Sequence, residues 1–195
     1  MRADLKKTQG IFTIGHSNLP FEQFVSLLKE HKIGLVADIR RYPSSRKFPH
    51  FNRSILYERL ADEGIDYQWF EALGGRRHTS KNETSPNTGL TSPGFRNYAD
   101  YMATEKFRSA VQRLLSVAEG SRTAVMCAEK LYWKCHRRIL SDYLVSQGIE
   151  VVHIISPGES LSHKLSTHAV ATETGVIYPT PQPINGQKSL FDLDA

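Results

Sequence analysis

The chain has two cysteines, Cys127 and Cys135, with seven residues between them, and the second runs straight into His136 and Arg137 within "KLYWKCHRRIL". Glu129 stands two residues beyond the first. A thiol near an imidazole or guanidinium loses its proton more readily and becomes a nucleophile, with the carboxylate available as acid, base or orienting group. Glu129 could equally be a bystander, or attack an anomeric carbon itself. The Cys-x5-Arg loop of thiol phosphatases is absent, because position 133 is Trp. A zinc site from Cys127, Cys135, His136 and His16 is chemically feasible. The seven-residue gap and adjacent Cys-His pair match none of the usual C-x2-4-C spacings, however, so no metal ligands are assigned and no cofactor is named. A transient disulfide requires a close backbone approach that spacing alone does not establish. The plain alternative for Cys127, after the apolar run "TAVM", is a small buried side chain at a strand end.

These groups need a frame, and the apolar pattern supplies one. "GIFTIGHS" reads as a buried strand and "LPFEQFVSLLKEHK" as a helix begun by Pro20, with Phe21, Phe24, Val25 and Leu28 at helical spacing. "IGLVADIR" is a second strand, "FNRSILYERLADEG" a second helix capped by Asn52 and Gly64, and "IDYQWF" a third strand. The stretch 72–95, rich in Gly, Ser, Thr, Asn and Pro, is long for a compact domain and reads as a lid or binding loop. "RNYADYMATEKFRSAVQRLLSVAEG" then gives a helix, "TAVMC" a strand, "CHRRILSDYLVSQG" a helix and "EVVHIIS" a strand. Alternating strands and helices predict an α/β fold, a largely parallel β-sheet flanked by helices on both faces in a Rossmann-like three-layer arrangement. Residues 1–156 form the single domain, and 157–195 are expected to be an extended tail.

Ligands of such sheets collect at the carboxyl ends of the strands. That rule gathers "GHSN", "DIRRYPSSRKFP", "LGGRRH" and "CAEK" on one rim. Cys127, Glu129, His136, His16 and Asp38 are the candidate catalytic residues. Arginine forks grip phosphate oxygens two at a time, so Arg40, Arg41, Arg46, Arg76, Arg77 and Arg137, with Ser17, Ser44 and Cys135, are the candidate phosphate-binding set. Any one of these arginines could be a solvated loop charge. Their convergence favours a phosphodiester or nucleotide.

A formal charge of +5 and a pI near 9.2 mildly favour an anionic partner. No stretch approaches the roughly 20 apolar residues of a membrane span, and "MRADLKKTQG" lacks the apolar core of a signal peptide. A cytoplasmic protein without a membrane partner is expected, its thiols reduced.

The ordered motifs "TIGHSN" (13–18), "LVADIRRYPSSRKFPHFN" (35–52), "GIDYQWFEALGGRR" (64–77), "NYADYM" (97–102), "MCAEK" (126–130) and "CHRRIL" (135–140) resemble the family termed domain of unknown function 488 over residues 11–156. The resemblance implies an α/β domain with a polar rim and no defined reaction. Near the C-terminus, "QKSLF" (187–191) is similar to the peptides that dock bacterial repair proteins on the sliding clamp. Gln187 would anchor one end while Leu190 and Phe191 fill an apolar pocket, presented by the Pro-rich lead before them. The alternative is a tail whose apolar residues fold back on the domain. Together these features predict a hydrolase or transferase acting on nucleic acid or nucleotide, with DNA repair as its setting. The rival expectations are a non-catalytic nucleic-acid-binding module and a thiol redox or metal protein.

Overall fold

Five short apolar runs form a parallel sheet because each of the first four is followed by helical structure that carries the chain back across one of its faces. A computed structural model describes residues 10–77, 84–173 and 175–181. The parallel strands are β1 (Ile11–Gly15), β2 (Leu35–Asp38), β3 (Asp66–Trp69), β4 (Thr123–Cys127) and β5 (Val151–Ser156). An antiparallel β6 (Glu159–Ser162) adds to the edge, giving the order β3-β2-β4-β1-β5-β6. The central strands β1 and β4 are buried along their whole length, as expected of strands covered on both faces.

Side-chain alternation divides the core. Phe12, Ile14, Ala124 and Met126 meet α1 (Phe21–Glu30) and α2 (Arg53–Asp62) on one face, through Phe24, Leu28, Leu56 and Leu60. Ile11, Val125 and Cys127 turn to the other face, against α3 (Pro93–Met102), α4 (Glu105–Gly120) and α5 (Arg137–Ser146). Each fully buried Leu or Phe contributes roughly 1.5–3 kcal/mol. The three-layer α/β architecture expected from the sequence is therefore present.

Three details differ from the sequence reading. The single helix expected over 96–120 is broken after Met102, because the Thr104 hydroxyl accepts from the Phe107 amide and starts α4 afresh. Asn52 stands at the start of α2, but its side-chain oxygen accepts from the Ser45 amide and secures the preceding loop instead of capping the helix. Residues expected to leave the domain at Pro157 fold back on it as β6 and as a hairpin of β7 (Val170–Thr172) and β8 (Gly175–Ile177), which buries Val176 and Tyr178 against the α5 side of the core. The proposed docking residues Gln187, Leu190 and Phe191 lie outside the described residues. No helix among the described residues is long and apolar enough to cross a membrane.

The order of the strands sets the location of the site. Neighbouring β1 and β4 send their chains to opposite faces, β1 to α1 and β4 to α5, so a crevice must open between their carboxyl ends.

Candidate functional site

That crevice widens into a cleft of about 1650 Å³, lined by the loops that follow β1, β2, β3 and β4. At its floor the fold joins the two cysteines. Cys127 ends β4, Cys135 closes a 3-10 turn at Tyr132–Lys134, and His136 is the N-cap of α5. His136 Nε2 lies 3.3 Å from the Ile39 carbonyl and donates to it. Its Nδ1 therefore faces the sulfurs, 3.5 Å from Cys135 Sγ and 3.8 Å from Cys127 Sγ. Tyr98 meets the ring edge-on at 5.1 Å.

The paired glycines of "LGGRR" explain how the ring is seated. A Cβ on Gly75 would lie 2.4 Å from His136 Nδ1, and one on Gly74 would lie 2.9 Å from the Arg41 backbone. No side chain fits between this loop and the imidazole.

The two thiols share a proton unequally. The hydrogen bond to Cys135 and burial push Cys127 well above the ordinary thiol range. Burial opposes ionisation of Cys135 too, but the hydrogen bond from Cys127 outweighs it, and with His136 and Arg137 nearby Cys135 is held well below that range. The backbone amide of Arg137 also donates to Cys135 Sγ at 3.5 Å.

Arg137 is 1% exposed and does not reach the cleft. Its guanidinium donates to the Glu129 and Lys130 carbonyls and to Thr13 Oγ1, all neutral acceptors. Gly15 leaves room for it, since a Cβ there would lie 2.7 Å from Arg137 Nη2. The expected phosphate ligand thus braces the loop after β4.

A second knot fixes the loop after β2. Asp38 is 0% exposed and accepts from the Arg40 amide, Nε and Nη2 and from the Tyr67 hydroxyl. Arg40 Nη1 in turn donates to His16 Nε2 at 3.2 Å, while His16 Nδ1 donates to the Ser17 carbonyl. Burial and the Arg40 charge lower the His16 pKa to about 3, so the ring is neutral and both its nitrogens are engaged. Asp38 and His16, expected to be catalytic, hold Arg40 in place. Of the five N–H groups of Arg40, these bonds leave one on each terminal nitrogen at the cleft wall.

The other expected residues separate clearly. Ser17, Arg41, Ser44, Arg76, Arg77 and Glu129 line the cleft with the Cys127, Cys135 and His136 cluster. Arg77 is committed to the Gly74, Glu71 and Ala72 carbonyls and lies 3.8 Å over the Tyr101 ring, and Arg41 pairs with Glu71 at 2.5 Å. Arg46 is exposed outside the cleft lining. In its place Lys47, Lys130 and Lys134 line the cleft. The two last flank Trp133 in the motif that carries Cys135, so their spacing was the available signal.

Also missed was a buried relay below Arg137. Thr13 Oγ1, accepting from Arg137, donates to His153 Nδ1 at 2.6 Å; His153 Nε2 donates to His163 Nδ1 at 2.9 Å; His163 Nε2 donates to Asp142 Oδ1 at 3.0 Å. These donor directions give every member a partner and leave the Asp142 carboxylate as the acceptor at the end of the line. Burial and His163 lower the His153 pKa to about 3. A histidine inside the apolar strand "VVHIIS" was the hint, since a buried imidazole requires partners.

The family described as "Domain of unknown function DUF488" matches residues 20–144, which run from the start of α1 through most of α5. No curated protein and no solved structure matches the chain.

Proposed function

The chain belongs to the DUF488 family, a name that specifies no reaction, and from the cleft we propose that it is an enzyme acting on nucleic acid or nucleotide. The observation that carries this reading is the meeting of two unlike surfaces. The floor holds two thiols and an imidazole within 3.5–3.8 Å, while seven of the wall side chains are Lys or Arg against a single carboxylate, Glu129. Such a wall concentrates phosphate and fixes it by charge-assisted hydrogen bonds. Arg40 presents its two remaining N–H groups there, already oriented by Asp38.

Aromatic faces favour a base-bearing substrate over bare phosphate. Tyr42, 64% exposed, lines the cleft, and Trp133, 44% exposed, stands between the cleft residues Leu131 and Lys134. Stacking on such faces adds about 1–3 kcal/mol per base and tolerates any sequence. The bond to be broken would lie over the Cys127, Cys135 and His136 floor, with Glu129 as the acid or base at its edge. The "QKSLF" peptide supports DNA repair in the cytoplasm as the setting.

A screen of labelled single-stranded oligonucleotides and nucleotides, scored for product as well as binding, tests the proposal. Turnover should fall at least 100-fold in Cys127→Ser and Glu129→Gln while binding persists. Full activity in both variants would reject the catalytic assignment, and salt-dependent binding without turnover by the wild type would make the chain a binding module.

A further inference from the structure

The cluster at the cleft floor also has the dimensions of a metal site. We infer that Cys127, Cys135 and His136 bind a zinc ion, held by Cys127 Sγ, Cys135 Sγ and His136 Nδ1, with the fourth position open to the cleft. The ligand atoms of the three residues all lie within 4.8 Å of one another. Zinc bonds of about 2.3 Å to sulfur and 2.0–2.1 Å to nitrogen, at tetrahedral angles, put sulfur and nitrogen about 3.6 Å apart. The observed separations from Nδ1 are 3.5 and 3.8 Å.

The surroundings meet the further demands of a metal centre. A metal-binding histidine needs its other nitrogen secured, and His136 Nε2 is secured by the Ile39 carbonyl. The ring cannot swing away, because Gly75 packs against Nδ1 too closely to admit even a methyl group. Cys135 accepts an amide hydrogen bond from Arg137, an outer-shell contact of the kind that stabilises a ligating thiolate. Two thiolates and one imidazole suit a borderline-soft divalent ion, and they balance its charge.

All three residues also line the cleft, so a fourth ligand arrives from the substrate side. His16 cannot supply it, since both its ring nitrogens are already bonded. Three protein ligands and one exchangeable position are the plan of a reactive zinc site, where a bound water or substrate oxygen is polarised. The spacing rule failed here because it applies to ligands on one local hairpin or helix. These ligands come from a strand end and a helix cap that the parallel sheet brings side by side.

The test measures metal without reference to activity. Full-length protein purified from zinc-supplemented cells, without chelator, should carry about one zinc per chain. The metal-stripped protein should take up Co2+ with a thiolate-to-cobalt charge-transfer absorption in the near ultraviolet. Cys127→Ser and His136→Ala should each lower zinc affinity at least 100-fold, and Arg46→Ala should leave it unchanged. Where a ligand variant does not fold, the wild-type titration decides alone. Wild-type protein with two titratable thiols that takes up neither Zn2+ nor Co2+ at micromolar concentrations overturns the inference, as does a Cys127–Cys135 disulfide in the freshly isolated chain. Zinc binding without nucleotide turnover would keep the metal and reject the proposed function; turnover by a chain that takes up neither Zn2+ nor Co2+ would do the reverse.

Discussion

Arg40 and Arg137 are both buried at the carboxyl edge of the sheet, at 6% and 1% exposure, yet their charges are handled in opposite ways. Arg40 lies directly against Asp38, 2.6 Å away, and the pair is closed by Tyr67 and His16. Arg137 touches only neutral oxygens, and its line to a carboxylate passes through Thr13, His153 and His163 before reaching Asp142. A guanidinium paired at contact distance contributes little field beyond its partner. One separated from its counter-charge by three side chains keeps its positive potential where it stands, next to the thiols. Arg40 therefore shapes the cleft wall, whereas Arg137 makes the floor hospitable to sulfur anions.

Acid should disturb both regions at once and gives the largest expected effect. His16 and His153 have folded-state pKa values of about 3 against an ordinary 6.5, so below pH 6.5 the unfolded chain takes up protons that the folded chain refuses. Stability is complete above that pH and is lost as the pH falls toward 3, by about 2–4 kcal/mol for each ring. Asp142, held below its usual value by His163 and Ser166 against the opposing effect of burial, adds a loss of the same sign at lower pH. Urea midpoints measured from pH 7 to 4 should fall steadily. A flat profile would contradict two neutral buried histidines.

Removing a carboxylate should separate the two arrangements. Asp38→Asn strands a contact-paired cation and should cost about 3–5 kcal/mol in denaturant unfolding. Asp142→Asn interrupts hydrogen bonds to His163, Ser166 and Tyr178, none of them a guanidinium, and should cost only about 1–3 kcal/mol. The reverse order would mean that Arg137 depends on Asp142 as strongly as Arg40 depends on Asp38.

The smallest effect concerns exposed charge. Arg76→Ala should reduce by about one the salt-dependence slope of oligonucleotide binding, and Arg46→Ala should leave the slope unchanged; both should stay within about 0.5 kcal/mol in stability. Equal effects on binding would remove the boundary drawn between cleft and surface.

The contrast also marks what was legible in the sequence. The sheet, the flanking helices and the rim could be read because Phe24, Leu28, Val125 and Met126 repeat at helical or strand periods, and periodicity is a local property. The meeting of Cys127, Cys135 and His136 was half visible: the residue types were conspicuous, but only the sheet order shows that Ile39 and Gly75 close around the ring. Arg40, Arg77 and Arg137 could not be sorted from Arg76 by residue type. What distinguishes them is the set of acceptors each one finds, and those acceptors lie up to 124 positions away, as with Thr13 and Arg137. The hairpin at 170–177 was missed because strands of three residues are too short for alternation to register.

The placing of β4 between β1 and β2 has a consequence for how the molecule comes into being. Neither of the first two strands can pair with the other; both wait for a strand that follows about a hundred residues later. During synthesis the nascent chain therefore carries two apolar strands with unpaired inner edges, the arrangement most prone to association with other chains. The arrival of β4 closes both edges in one step and delivers Cys127 to the crevice in the same step. Closure of the two inner edges and delivery of Cys127 are thus a single late, long-range event, and slow folding is expected of a topology built on such distant contacts.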